Sequence, residues 1–162
     1  MSDTPREHFQ ELLETFSTAM LVTRTESGEL RCRPMTIAEV CEDADVWFVT
    51  SIDDAKAEEI RSDANVCVSL QKGQKYVSLS GTAELVQDRA RLKAMWNEAW
   101  KVWYPDGPES PKVTLVKVNA AQGEYWDVSG LNGVKYLYRA GKAYFAGERP
   151  EMTSDMHEKV EL

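Results

Sequence analysis

Six segments of the chain carry the pattern of β-strands, and their repetition restricts the fold more than any other feature. Side chains that alternate with a period of two point to opposite faces of a strand, whereas a helix face repeats every three or four residues. Turn-forming residues separate the segments, which favours antiparallel pairing. The predicted strands are residues 19–24, 30–37, 46–50, 65–71, 76–86 and 113–118, the last resuming through 124–127. The sequence therefore predicts a mainly β, antiparallel fold.

Two residues inside these predicted strands, Pro34 and Gly81, interrupt the regular pattern. Glycine inside a strand indicates a bulge or a sharp bend, of the kind that closes a sheet into a barrel. Proline cannot donate to a strand ladder, so its strand is expected at a sheet edge or beside a bulge.

Residues 1–18 are predicted to form an N-terminal helix. Thr4 and Glu7 have the spacing of a capping box, and Pro5 between them suits a first helical turn. Apolar side chains then recur at helical spacing and are expected to cover a core. They are Phe9, Leu12, Leu13 and Phe16.

The second half of the chain contains one more predicted helix, one hairpin and a tail. The helix begins near Asp88, and Trp96, Trp100 and Trp103 follow one another at helical spacing, which favours packing or a subunit interface over a cofactor wall. Residues 136–138 and 143–145 flank a polar turn and are predicted to pair as a hairpin. The polar residues 147–162 are predicted to be a mobile tail, and residues 1–162 to form a single domain.

The composition excludes several classes of function. The formal net charge of −8, from 27 acidic and 19 basic residues, argues against a nucleic-acid-binding protein. No apolar run is long enough for a membrane span or a signal peptide, so we expect a cytoplasmic protein. Three separated cysteines fit no common metal or disulfide pattern. His8 and His157 are predicted to be a solvated helix residue and a tail residue, which leaves no histidine-based catalytic site.

A local anion site is predicted where the third strand runs into a short helix. The chain has no glycine-rich phosphate loop, so a phosphate would need side-chain donors. Thr50, Ser51 and Lys56 lie at this junction, and Arg33 on the preceding strand is a further candidate. The residue types alone leave open a capped turn with a solvated lysine.

The order and spacing of four motifs resemble the general-stress-protein branch of the pyridoxamine 5'-phosphate oxidase-like flavoproteins. The motifs are RCRPM at 31–35, VWFVTS at 46–51 with Lys56, YVSLSGTA at 76–83 and EYWD at 124–127. The resemblance implies a split β-barrel and a homodimer that binds FMN in a groove where the two subunits meet.

The same resemblance assigns cofactor-binding roles by position. It assigns Arg33, Pro34 and Met35 to the flavin ring or its ribityl chain, and Phe48 and Val49 to backbone contacts with the flavin. It assigns Thr50, Ser51 and Lys56 to the phosphate. Trp126 and Trp96 are expected to contact the flavin from the second subunit. Ala55 departs from the family pattern, in which a polar residue often precedes the lysine. One phosphate contact of the family is therefore in question here.

The activity of the true oxidases is not expected, because the region after Trp126 lacks their basic and aromatic substrate-binding segment. The resemblance instead predicts an FMN-dependent oxidoreductase that acts on a small molecule of unknown identity, with NADH or NADPH as a candidate reductant. Two alternatives stay open. One is a stress-linked flavin sensor or flavin store without turnover, and the other is a protein without a cofactor whose tryptophans form a partner interface.

Overall fold

A computed structural model describes residues 4–162, which form a closed six-stranded antiparallel β-barrel with four α-helices and one additional strand. The helices are α1 (Pro5–Glu14), α2 (Ala55–Ser62), α3 (Arg89–Met95) and α4 (Gly130–Ala146). The strands are β1 (Thr18–Arg24), β2 (Leu30–Val40), β3 (Val46–Ser51), β4 (Asn65–Lys72), β5 (Lys75–Val86), β6 (Val113–Asp127) and β7 (His157–Glu161). The predicted mainly β split barrel is confirmed. Within residues 4–162, every helix is too short or too polar to cross a bilayer.

The barrel closes because β6 pairs with both β5 and β3. The strands follow the order β3-β2-β1-β4-β5-β6. Strand β3 also pairs with β6, from Val46 opposite Val118 to Ser51 opposite Val113. The strand register shifts at Gly81, as predicted from its position. A Cβ atom at Gly81 would lie 2.0 Å from the carbonyl oxygen of Asn119, so no larger residue fits at this bulge.

Helix α1 closes one side of the core through its apolar face. Its predicted capping box is confirmed, since the Thr4 hydroxyl accepts from the Glu7 amide at 3.3 Å and Glu7 accepts from the Thr4 amide at 2.7 Å. Phe9 and Leu13 are fully buried against the barrel interior, where Tyr125 is also fully buried. Helix α1 therefore covers the core, as the spacing of its apolar residues predicted.

The tryptophan segment does not form one helix face. Helix α3 ends at Met95, and Trp96 has an extended backbone with a ψ of 134°. A 3₁₀ turn, Glu98–Val102, follows. Trp96 and Trp100 pack edge to face with ring centroids 5.5 Å apart, while Trp103 is 77% exposed. The predicted continuous stripe is wrong because α3 ends before the first of the three tryptophans.

Two predictions for the C-terminal region are also wrong. Residues 136–145 lie within α4, which ends at Gly147 in a left-handed conformation, so they form no hairpin. Their aromatic spacing fits a strand and a helix equally well, and the sequence pattern did not separate the two. The tail is not free, because β7 pairs with β6 and buries Val160, and Met156 just before it is fully buried.

Candidate functional site

A cavity opens where β2 and β3 stop pairing. The two strands pair from Val40 opposite Val46 to Ile37 opposite Phe48, with a bulge between Ile37 and Glu39. Beyond this point both strands continue without pairing to each other, and the space between them is part of a cavity of about 610 Å³. This volume lies within the range of small-molecule sites. Pro34 lies in the half of β2 that pairs with β1 but no longer with β3, so its missing N–H costs no bond to β3.

The cavity walls are largely apolar and aromatic. Pro34, Met35 and Val49 contribute from the two diverging strands. The 3₁₀ turn and the two residues after it contribute Trp100, Trp103 and Tyr104. The hydroxyl of Tyr104 donates to the carbonyl oxygen of Val49 at 3.2 Å, which fixes this aromatic wall to β3. Burial raises the pKa of Tyr104, so the phenol stays neutral at physiological pH. A wall of this kind suits a planar, partly aromatic ligand.

One end of the cavity is polar and charged, at the junction of β3 and α2. Three donors surround the Oδ2 atom of Asp54: the Nζ of Lys56 at 2.6 Å, the hydroxyl of Thr50 at 3.0 Å and the backbone amide of Ser51 at 3.5 Å. Lys56 Nζ also lies 3.2 Å from the Thr50 hydroxyl. The three residues predicted to bind a phosphate therefore converge on a single oxygen atom. Ser51 and Lys56 line the cavity, and Thr50 is fully buried behind them.

The Asp54 carboxylate is ionised at this position. Burial by itself raises its pKa, but the hydrogen bonds from Lys56 and Thr50 outweigh burial and hold the pKa of Asp54 below its usual value. The Lys56 side chain is only 16% exposed, so its charge is aimed into the cavity and not into bulk solvent. The junction can hold an anionic oxygen, because it holds one of its own.

Lys112 adds a second cation to the rim of the cavity, and no local sequence pattern marks it. Its Nζ lies 3.2 Å from Asp53, and its carbonyl oxygen accepts from the amide of Ile52 at 2.7 Å. Lys112 immediately precedes β6, so only the closure of β3 on β6 brings it beside the β3–α2 junction. Tyr104 and Asp54, which also line the cavity, were likewise not among the residues predicted from the sequence.

Arg33 lies outside the cavity lining, in a separate ion cluster. Its guanidinium donates to the Glu59 carboxylate at 2.8 Å, to the Thr23 hydroxyl at 2.5 Å and to the Leu21 carbonyl at 3.3 Å. The Arg31 guanidinium donates to the same carboxylate at 3.1 Å. Burial by itself raises the pKa of Glu59, but Thr23 and the two arginines outweigh it and hold the pKa below its ordinary value. The contact of Arg33 with a flavin stays a prediction.

The remaining predicted site residues lie apart from the cavity lining of this chain. Phe48 is fully buried in the core, and its strand is paired on both sides at that point. Trp96 packs against Trp100 in a second apolar cluster, and Trp126 stacks on His157 with centroids 5.2 Å apart. The contacts of Trp96 and Trp126 with a cofactor from a second subunit stay predictions.

The two histidines lie against β6, away from the cavity lining. His8 Nε2 lies 3.5 Å from Asp127, and His157 Nε2 lies 2.8 Å from Glu124. Both side chains are partly buried, so the interpretation of His8 as solvated and of His157 as a tail residue is wrong. For His157 the reason is β7, whose pairing with β6 the sequence did not reveal. For His8 the reason is the packing of α1, which sets its ring edge to face against Tyr125 of β6 with centroids 4.9 Å apart.

Comparison with known proteins places this arrangement in a family. Residues 4–151 match the model of the family described as pyridoxamine 5'-phosphate oxidase like. Protein bli-3 of Neurospora crassa is 29% identical over 66% of this chain, and the match spans only 57% of that protein.

Two solved structures are similar over most of the chain. A protein assigned as general stress protein 26 from Jannaschia sp. CCS1 is 26% identical, with a TM-score of 0.73 and coverage of 96% of both chains. A protein described as the general stress FMN/FAD binding protein from Xanthomonas citri is also 26% identical, with a TM-score of 0.64 and coverage of 75% of this chain and 87% of that one. These relatives share the barrel that forms the cavity.

Proposed function

The chain belongs to the pyridoxamine 5'-phosphate oxidase-like family, and on that premise we propose that it binds FMN in the cavity between β2 and β3. The observation that carries the proposal is the convergence of Thr50, Ser51 and Lys56 on one anionic oxygen at the cavity wall. Hydroxyl, backbone amide and ammonium donors are the groups that bind phosphate oxygens when no glycine-rich loop is present.

The cavity offers separate places for the two ends of a flavin mononucleotide. Ser51 and Lys56 of the lining, with the Thr50 hydroxyl beside them, would hold the phosphate, while Pro34 and Met35 would lie along the flavin ring. The Xanthomonas citri relative is described as an FMN/FAD binding protein, which supports a flavin as the class of ligand.

We further propose an oxidoreductase that acts on a small molecule, with NADH or NADPH as reductant. Bound FMN supplies hydride or electron transfer, and the chain binds and orients it. The partly buried Trp100 and Tyr104 shield one wall of the cavity from water, which strengthens the polar contacts beside it.

A flavin sensor or flavin store is the second candidate, and the chemistry of the cavity favours it. Among the described residues that line the cavity there is no histidine and no cysteine. Asp54 and Lys56 bind each other, the Tyr104 hydroxyl donates to Val49, and the remaining carboxylate of the lining, Asp106, is exposed to solvent. No side chain is thus assigned to proton transfer. The Jannaschia and Xanthomonas citri relatives are both described as general stress proteins, which supports a stress-linked role for such a binder.

The second subunit of the proposed homodimer is expected to cover α4. Six large side chains on this helix are at least 65% exposed: Leu131, Val134, Leu137, Tyr138, Tyr144 and Phe145. The helix carries three basic and no acidic residues, in a chain whose net charge is −8, so a second copy offers both apolar and acidic surface to it.

Sedimentation of the wild type and of Leu137→Asp tests this surface. A dimer that dissociates in the variant supports the assignment. A wild-type monomer that binds anionic lipid vesicles through α4 contradicts it.

The visible absorption spectrum of the purified protein tests flavin binding directly. We expect a flavin spectrum either as purified or after addition of FMN and removal of the excess. A protein that carries no flavin in either preparation would refute the proposal.

Anaerobic addition of NADH or NADPH to the flavin-loaded protein separates the enzyme from the binder. Bleaching of the flavin absorbance, followed by reoxidation on a candidate acceptor, supports an oxidoreductase. Flavin that stays oxidised with both donors favours the sensor or store.

A further inference from the structure

The carboxylate of Asp54 lies where the proposed phosphate would bind. Its Oδ2 atom accepts hydrogen bonds from Lys56, Thr50 and Ser51, the three residues assigned to the phosphate. A ligand phosphate and this carboxylate carry charge of the same sign, so the two cannot share the position without strong repulsion. Either the carboxylate moves or the phosphate is excluded.

Asp54 is free to move, because its side chain is the half-exposed member of the pair. It is 42% exposed, whereas Lys56 is 16% exposed and the Thr50 hydroxyl group belongs to a fully buried residue. The donors are therefore fixed by their surroundings and the acceptor is not.

A second position for the carboxylate exists at the start of α2. Asp54 is the N-cap residue of this eight-residue helix, yet its side chain makes no capping hydrogen bond. Aspartate at an N-cap normally accepts from a backbone amide of the first turn and is favoured by the positive end of the helix. Rotation of the side chain would thus exchange the contacts with Lys56 and Thr50 for a helix cap.

We propose that Asp54 is a built-in competitor for the phosphate: it occupies the anion site of the free protein and withdraws to cap α2 when a phosphate group binds. The proposal rests on the function proposed above and deepens it, because Asp54 then sets how tightly the site holds a phosphorylated ligand. No other residue of the junction has this role, since Asp53 faces Lys112 at the rim.

The substitution Asp54→Asn tests the proposal, with Asp53→Asn as the matched control. Both variants remove one negative charge, and asparagine is as good an N-cap as aspartate, so the fold of α2 is preserved. Affinities for FMN and for riboflavin, which lacks the phosphate, are measured by quenching of flavin fluorescence. Thermal stability is measured with and without inorganic phosphate.

We expect Asp54→Asn to bind FMN about tenfold more tightly than the wild type, because the like charge is gone. Riboflavin affinity should change by less than about twofold, and Asp53→Asn should shift FMN affinity by no more than about threefold, as expected for an exposed charge. Inorganic phosphate should raise the melting temperature of Asp54→Asn more than that of the wild type.

Unchanged or weaker FMN binding by Asp54→Asn would overturn the proposal. An equal gain in Asp53→Asn would also overturn it, because the effect would then be a general one of charge. If no variant binds a flavin but phosphate stabilises Asp54→Asn selectively, the competitor role stands and the proposed flavin function fails. If phosphate also has no selective effect, both fail.

Discussion

Two cationic side chains that the sequence assigns to one flavin site, Arg33 and Lys56, lie in different kinds of ion cluster. Arg33 is paired with Glu59, whose side chain is 7% exposed and also accepts from Thr23. Lys56 is paired with Asp54, whose side chain is 42% exposed and lines a cavity. The arginine cluster is closed by burial, and the lysine cluster is open to a ligand. Exposure of the acidic partner therefore separates a structural ion pair from an exchangeable one.

The largest effect is expected when the closed cluster is broken. Glu59→Ala leaves the Arg33 guanidinium without its main partner in a mostly buried position, which should lower the free energy of unfolding by about 3–5 kcal/mol. Denaturant unfolding measures this loss.

The control for Glu59 is its helix neighbour Glu58, whose side chain is 78% exposed and paired with Arg61. Glu58→Ala should change stability by less than about 1 kcal/mol. Similar losses in the two variants would contradict the description of the Glu59 cluster as closed and structural.

Breaking the open cluster should affect the ligand and spare the fold. Lys56→Ala removes a charge-assisted contact and should weaken FMN binding by about 1.5–3 kcal/mol, roughly ten- to a hundredfold or slightly more. Riboflavin binding should hardly change, and stability should fall by less than about 1 kcal/mol because Asp54 is half exposed.

Fluorescence titration and denaturant unfolding of the same Lys56→Ala preparation measure both effects. Lys72→Ala, which removes a lysine that contacts Thr15 on the α1 side, is the charge-matched control. Unchanged FMN affinity in Lys56→Ala would show that the phosphate binds elsewhere.

Lowering the pH should weaken the contribution of the closed cluster to stability, because the pKa of Glu59 is lowered in the folded protein. Because the folded-state pKa lies below the ordinary value of 4.5, the ionised Glu59 contributes stability that is fully present above pH 4.5 and is lost as the pH falls through the lowered folded value. Wild type should therefore exceed Glu59→Gln in unfolding free energy at pH 7, and the difference should shrink below pH 4.5. A difference in unfolding free energy that is constant down to pH 3 would contradict the predicted direction of the pH dependence.

The smallest effect is expected at the rim cation. Lys112 is 71% exposed and paired with Asp53, so Lys112→Ala should weaken FMN binding only about two- to fivefold, and less at high salt. Titrations at low and high ionic strength measure this dependence. An effect as large as that of Lys56→Ala would mean that the phosphate lies nearer the rim.

The strand pattern predicted the barrel because each signal was local. The alternation in segments 19–24 and 65–71, the bulge at Gly81 and the capping box at Thr4 depend on neighbours in the chain or on one paired strand, and all are present. The helix α4 was missed because its aromatic residues fit both periods. Strand β7 was missed because an isolated polar pentapeptide has no strand signal until it pairs with β6.

The sequence could predict only the part of the candidate site that is formed by residues close together in the chain. Thr50, Ser51 and Lys56 come together because a strand runs directly into a helix, which the sequence shows. Lys112 and Tyr104 reach the cavity through the closure of β3 on β6 and through the 3₁₀ segment, which are long-range events. The pairing of Arg33 with Glu59 was likewise invisible, since it joins positions 26 residues apart on a strand and a helix.

The most direct test of this account compares wild-type affinities for FMN and riboflavin in one fluorescence titration series. The account predicts saturable binding of one FMN per chain, and riboflavin binding weaker by roughly tenfold or more because the phosphate contacts with Thr50, Ser51 and Lys56 are lost. Equal affinities would contradict a phosphate at the β3–α2 junction, and no binding of either flavin would contradict the proposed function itself.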